Sequence, residues 1–200
     1  GNGIRCLAKY IWDRNLSDKN ILHIETLAGI IKPEKSGGMV KVDMGEPILD
    51  GPQIPVATAG QIIDQSLEVA GQSYRVTCVS MGNPHCVTFV DSVEPLDLEK
   101  IGPKFEHHSL FPKRVNTEFI QVVSPTELNM RVWERGSGET WACGTGACAA
   151  AVAAVLNNKA GRQVTIHLRG GDLEIEWRAD DNHVYMTGPA EEVFAGTMEL

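Results

Sequence analysis

No Cys-x-x-Cys pair, no basic stripe and no apolar run of the ~18 residues that a helical membrane span needs occurs in this 200-residue chain. Each absence removes a class of function. The longest apolar stretch, the Ala-rich run after Cys143, stops at Asn157-Asn158-Lys159, so no membrane partner is expected. Lys and Arg total 18 against 26 Asp and Glu, a net charge of −8, with no run of like charges, which argues against nucleic acid and anionic lipid as partners. The cysteines (Cys6, Cys78, Cys86, Cys143 and Cys148) are odd in number, and a chain of this size needs no disulfide staples. A reducing, cytoplasmic setting follows as the expectation. The six histidines show no metal-ligand spacing with one another or with cysteine, so no metal is expected, and His107-His108 reads as solvated helix surface. No signal peptide is visible, although a chain that opens in the middle of a motif says nothing about the original N-terminus.

What is present is an apolar content of 42%, enough for packed cores in one large domain or two ordinary ones. A helical stretch over Leu7–Arg14 precedes a polar turn at Asn15–Lys19. Short strands are predicted at Ile21–Leu27, Gly29–Lys32 and Met39–Met44, with a turn over Glu34–Gly38. Gly45–Pro55, with three prolines and two glycines, reads as an inter-domain connection. A hairpin is predicted from Gln61–Ala70 and Ser73–Ser80, then a loop over Met81–His85 and a strand over Cys86–Val90. Asp97–His108 is helical in pattern, with Pro103 expected to bend or end it. Val115–Val123 and Glu127–Glu134 flank a turn, a loop runs from Arg135 to Ala142, and strands near 163–169, 172–178 and 183–187 close the chain.

The chemistry concentrates in Cys143-Gly144-Thr145-Gly146, a thiol on a glycine turn at the start of a helix. Free backbone N–H groups there suit an anion such as a carboxylate, and a helix N-terminus favours the thiolate, which predicts a lowered thiol pKa. The chain opens on an echo of this box, Gly1-Asn2-Gly3-Ile4-Arg5-Cys6. Superposition at a constant offset of 143 puts Gly1 on Gly144, Gly3 on Gly146 and Asn15 on Asn158. Ile21–Gly29 resembles Val164–Gly171 with a one-residue slip, and Met44-Gly45-Glu46-Pro47 resembles Thr187-Gly188-Pro189. Two similar α+β halves facing each other across a cleft are therefore expected, the first incomplete. The boundaries fall at 1–44 for the remainder of the N-terminal half, 45–188 for the C-terminal half and 189–200 for a tail returning to the first. The counterpart of Cys143 would precede Gly1. Two thiols on opposite sides of a pocket suit proton removal from one face of a carbon and delivery to the other, and a chain carrying one of them is expected to be inactive alone.

Other residues are ambiguous by themselves. A helix-start cysteine can be mere packing, but its duplication within Cys-Gly-Thr-Gly favours chemistry. Cys6, Cys78, Cys86 and Cys148 read as core. Arg135 could clamp a carboxylate and Glu134 hold an ammonium group, or the two could be a surface ion pair. Gly82-Asn83-Pro84-His85 could aim an amide and an imidazole into the cleft, or be only a turn. Asn116, in a β-branched run, is either a bulge or a ligand contact.

Taken together, Gly1–Cys6, Met81–Cys86, Arg114-Val115-Asn116, Glu134-Arg135-Gly136 and Ala142–Gly146 resemble the diaminopimelate epimerases, of the cofactor-independent two-cysteine racemase type. The resemblance implies two pseudo-symmetric α+β domains, each a curled antiparallel sheet around a central helix. It implies Cys143 as one acid/base cysteine, with His85 and Glu134 supporting the chemistry. Gly1, Asn2, Gly144 and Thr145 would bind the reacting carboxylate, and Asn83, Asn116, Glu134 and Arg135 would contact substrate. It further implies no cofactor, a homodimer, and a place in lysine and peptidoglycan precursor synthesis. The cysteine box alone also fits a proline racemase or a phenazine-type isomerase; a silent binding module would keep the pocket without the reaction, and a thiol hydrolase would need a Cys–His pair that the sequence does not place.

Overall fold

The computed structural model describes residues 1–27 and 29–198. In chain order the elements are α1 (Asn2–Asp13), β1 (Ile24–Thr26), β2 (Gly29–Ile31), β3 (Pro33–Ser36), β4 (Met39–Asp43), β5 (Gln65–Val69), β6 (Gln72–Ser80) and β7 (Pro84–Phe89). Then come α2 (Leu98–Glu106), β8 (Asn116–Ser124), β9 (Glu127–Glu134), β10 (Gly138–Thr140), α3 (Gly144–Leu156), β11 (Gln163–Leu168), β12 (Gly171–Trp177) and β13 (Val184–Gly188). Eleven of the strands form one sheet in the order β3-β4-β13-β12-β11-β9-β8-β7-β6-β5, with β10 paired to β9, while β1 and β2 form a separate ribbon. Every contact in the large sheet is antiparallel except β7 with β8 and β9 with β11.

The sheet curls because α3 is apolar on every side. Gly146 to Ala154 are all buried, and such a helix has no face to offer to water. Strands β6, β7, β8, β11, β12 and β13 all pack against it. A second core lies under α2, where Phe105 and Phe119 meet edge to face at 5.4 Å. There a Cβ on Gly102 would fall 2.2 Å from the Trp133 ring, so only glycine lets the helix approach that indole. Pro103 is carried inside α2 instead of ending it. The helix holds because Asp97 caps it, its carboxylate accepting from the Lys100 amide at 3.2 Å.

The internal echo survives in three dimensions. Helix α1 is C-capped by Arg14 and α3 by Asn157, and the next residues, Asn15 and Asn158, both take the left-handed conformation at φ 52° and 54°. Strands β4 and β13 pair with each other, Val42 opposite Met186 and Asp43 opposite Tyr185. Adding the offset of 143 to Val42 gives Tyr185 and to Asp43 gives Met186, so the two pairs map onto one another. A local two-fold axis therefore passes through this contact. Beyond β13 the chain lies along α1, where Arg5 Nε donates to the Pro189 carbonyl at 3.2 Å and Arg14 pairs with Glu192 at 2.9 Å. Residues 199 and 200, the end of the expected tail, lie outside the described residues.

Several local expectations change. Glu34–Ser36, read as part of a turn, belong to β3, and the turn is Gly37-Gly38 alone. His85 stands in β7 rather than in the loop before it. Within Gly45–Pro55, Ile48 bridges to Ser80 at the end of β6. Cys6 is exposed on α1 rather than packed in a core, whereas Cys78, Cys86 and Cys148 are buried as expected.

Candidate active site

The site is built where the two helix starts meet. A Cβ on Gly1 would lie 3.5 Å from Gly144 Cα, and one on Gly144 would lie 3.6 Å from Asn2 Oδ1 and 3.1 Å from Met186 Sδ. Positive helix ends that converge in this way favour an anion between them. Cys143 is the N-cap of α3 and is 5% exposed, its Sγ 3.6 Å from Thr145 Oγ1.

Its thiol pKa is not lowered, as the sequence suggested, but pushed up to about 12. Burial is the largest cause, followed by the negative charges of Glu118 and Glu134. The Thr145 hydroxyl and the Gly146 amide pull the other way and lose. The helix start is present, but a desolvated sulfur between two carboxylates is held as a thiol.

Alternation along the strands selects what faces α3. On β7 this is His85, on β8 Asn116 and Glu118, and β9 ends on Glu134. His85 is fully buried, with Nδ1 2.7 Å from Glu118 Oε1 and Nε2 3.0 Å from Asn83 Oδ1. Asn116 is not in a bulge: it pairs in register with His85. Its Nδ2 donates to the Pro84 carbonyl at 3.0 Å, and its Oδ1 accepts from the Arg135 amide at 2.9 Å, which fixes the turns carrying Asn83 and Arg135. Glu134 accepts a short hydrogen bond from the Thr140 hydroxyl. The Arg135 guanidinium is exposed and donates to the Lys113 carbonyl at 3.1 Å, so nothing in this arrangement brings it to Cys143.

Two residues were missed by sequence reasoning. Glu118, at zero exposure, stands two positions from Asn116 and so on the same strand face, a signal that was available. Glu106 holds the Glu134–Gly136 turn from below. It accepts from the Gly136 amide at 2.9 Å, Arg114 Nη1 at 3.2 Å and Trp133 Nε1 at 2.8 Å. Burial alone would raise its pKa, but the bonds from Trp133 and Gly136, with the charges of His107 and Arg114, hold it below the usual carboxylate value. A depressed carboxylate stabilises the fold above its unfolded-state pKa, and this contribution is lost as pH falls through the folded value. Glu106→Gln should therefore cost about 1–3 kcal/mol at neutral pH, and the difference from the parent should shrink on acidification below about pH 4 in denaturant melts.

The diaminopimelate epimerase family model matches residues 77–193. A diaminopimelate epimerase of Moorella thermoacetica is 57% identical over 100% of this chain and 74% of its own length. One of Synechocystis is 58% identical over 100% of this chain and 73% of its own. Among solved structures, a hydroxyproline epimerase from Agrobacterium vitis superposes with a TM-score of 0.66 at 13% identity, over 94% of this chain and 63% of that one. A phenazine biosynthesis protein of the PhzF family from Enterococcus faecalis gives 0.65 at 16%, over 100% and 73%. At such identities these two share the fold alone. The family expectation from the cysteine, Asn-Pro-His and Glu-Arg-Gly pieces is borne out: the chain belongs to the diaminopimelate epimerase family.

Proposed function

We propose that this site interconverts LL- and meso-diaminopimelate by two-thiol proton transfer at the α-carbon, with Cys143 as one of the two acid/base groups. The observation that carries this reading is the meeting of the α1 and α3 starts at Gly1 and Gly144, with Cys143 at the edge of that anion-binding point. The α-proton of an amino acid is too weakly acidic for a thiolate in water. Backbone N–H groups of both helices, with Asn2 and Thr145, bind the substrate carboxylate and stabilise the carbanion as charge flows into it. The opposing thiolate removes the α-proton from one face while Cys143, held as a thiol, delivers its own to the other. The enzyme leaves each turnover with the two protonation states exchanged.

Glu134 and His85 support the proton transfer from beside Cys143, and Glu134, Asn83, Asn116 and Arg135 recognise the remainder of the substrate. Arg135 must leave the Lys113 carbonyl to do so. The two halves divide at 1–44 and 45–188, and the intact protein is a cytoplasmic homodimer acting in lysine synthesis.

The test is a substrate panel with the intact enzyme in deuterated water. Deuterium should enter the α-carbon of LL- and meso-diaminopimelate with inversion, and proline or hydroxyproline should stay unlabelled. Labelling of proline and not of diaminopimelate would replace this reading by that of a proline-type racemase.

A further inference from the structure

Glu118 is the one carboxyl among the described residues with a fully buried oxygen, Oε2, that finds no hydrogen-bond partner. Its other oxygen, Oε1, sits 2.7 Å from His85 Nδ1 and within 2.6 Å of where a Cβ on Gly146 would be. That same point is 3.2 Å from Cys143 Sγ. The carboxyl and the sulfur are thus neighbours across a residue that has no side chain to separate them. A buried, half-satisfied carboxyl is costly, and an apolar residue would pack this strand at lower cost. Neither the sheet nor the core needs an acid here.

We propose that Glu118 is a positioning residue for proton transfer at Cys143: it locks the His85 ring against Asn83 and, across Gly146, keeps the sulfur in its protonated, donor form. The imidazole thus spans two oxygens, Asn83 Oδ1 at Nε2 and Glu118 Oε1 at Nδ1, which fixes the ring in place. The titratable groups facing Glu118 are His85 from β7, Glu134 from β9 and Cys143 from α3, while Cys86 and Cys78 lie on the opposite face of the sheet in the α2 core. Of these only the imidazole offsets its charge. The charges that act on Cys143 itself are those of Glu118 and Glu134, with no cation among them, and they disfavour a thiolate there. Burial and Glu134 press on Glu118 in the same direction, raising its own pKa.

The test reads Cys143 directly and does not depend on the identity of the substrate. The pH dependence of Cys143 alkylation by iodoacetamide is followed by peptide-resolved mass spectrometry. Glu118→Gln should move the midpoint down by about one pH unit, roughly a tenfold change in thiolate fraction at fixed pH. Glu118→Asp, which keeps the charge, should restore most of it. Should the Gln variant not fold, Glu118→Met removes the charge without adding an unpaired amide and should give the same shift. Equal midpoints in the parent and a folded Gln or Met variant, or equal shifts for Gln and Asp, would overturn the proposal.

A second arm rests on the epimerase reading. In the intact enzyme Glu118→Gln should lower kcat about tenfold, leave KM within about twofold, and move the alkaline limb of the rate profile to lower pH. An unaltered profile beside a lowered Tm would reduce Glu118 to packing.

Discussion

Cys143→Ala in the intact enzyme should reduce interconversion by at least ~10³-fold, with little loss of stability. The loss follows from geometry. The substrate carboxylate held between the helix starts presents one face of the α-carbon to the α3 N-cap, and the carboxyls beside that N-cap are already engaged, Glu118 by His85 and Glu134 by Thr140. Thr145 Oγ1, 3.6 Å from the sulfur, is far too weak an acid. The variant should still exchange the α-proton of whichever isomer points it at the opposing thiol, returning it to the same face. Slow deuterium exchange without inversion would therefore accompany the loss, and both can be followed in one NMR experiment. Near-parental inversion would remove Cys143 from the reaction.

Gly146→Ala should be the most damaging single methyl in the site. Alanine is the better helix former by about 1 kcal/mol, which would favour the substitution on an open helix. Here the new Cβ would lie 2.6 Å from Glu118 Oε1, 3.1 Å from Met130 Cε and 3.2 Å from Cys143 Sγ. Glu118 is fully buried and bonded to His85, so it has no free volume into which to withdraw. We expect about 1–3 kcal/mol of destabilisation in denaturant melts and roughly 10²-fold lower kcat from displacement of the thiol and imidazole. Gly3, the counterpart of Gly146 at the offset of 143, is the control. Nothing lies within 4 Å of a Cβ there, and Gly3→Ala should be neutral or slightly stabilising. Equal effects at the two glycines would contradict this account.

Much of this was legible in residue patterns. Strand β9 matches its expected span, Glu127–Glu134, because apolar alternation and the flanking turns leave no other choice. Helix α3 was legible from its glycine start and its two terminal asparagines. What escaped detection were facts of the third dimension. Polar β3, Pro-Glu-Lys-Ser, is a strand only because β4 supplies its hydrogen bonds. Asn116 stood open between a bulge and a ligand contact because pattern cannot reveal that its amide also holds backbone at both ends. The Cys143 thiol looked acidic because a helix start is visible in sequence, whereas burial between Glu118 and Glu134 depends on strands distant along the chain. Glu118 itself was hidden in plain alternation, two residues from a position already singled out.

The contact between β4 and β13 carries a mechanical consequence. Both helix starts lie beside a single backbone ladder, Val40 to Asp43 against Tyr185 to Gly188, that runs unbroken from one half to the other. Sliding one half past the other would break every rung of that ladder, whereas bending it breaks none. Any opening that admits substrate is thus confined to flexing about this seam, like the spine of a book. The two helix starts, beside Met186 on that spine, swing least, so the anion-binding point stays assembled while the outer edges part.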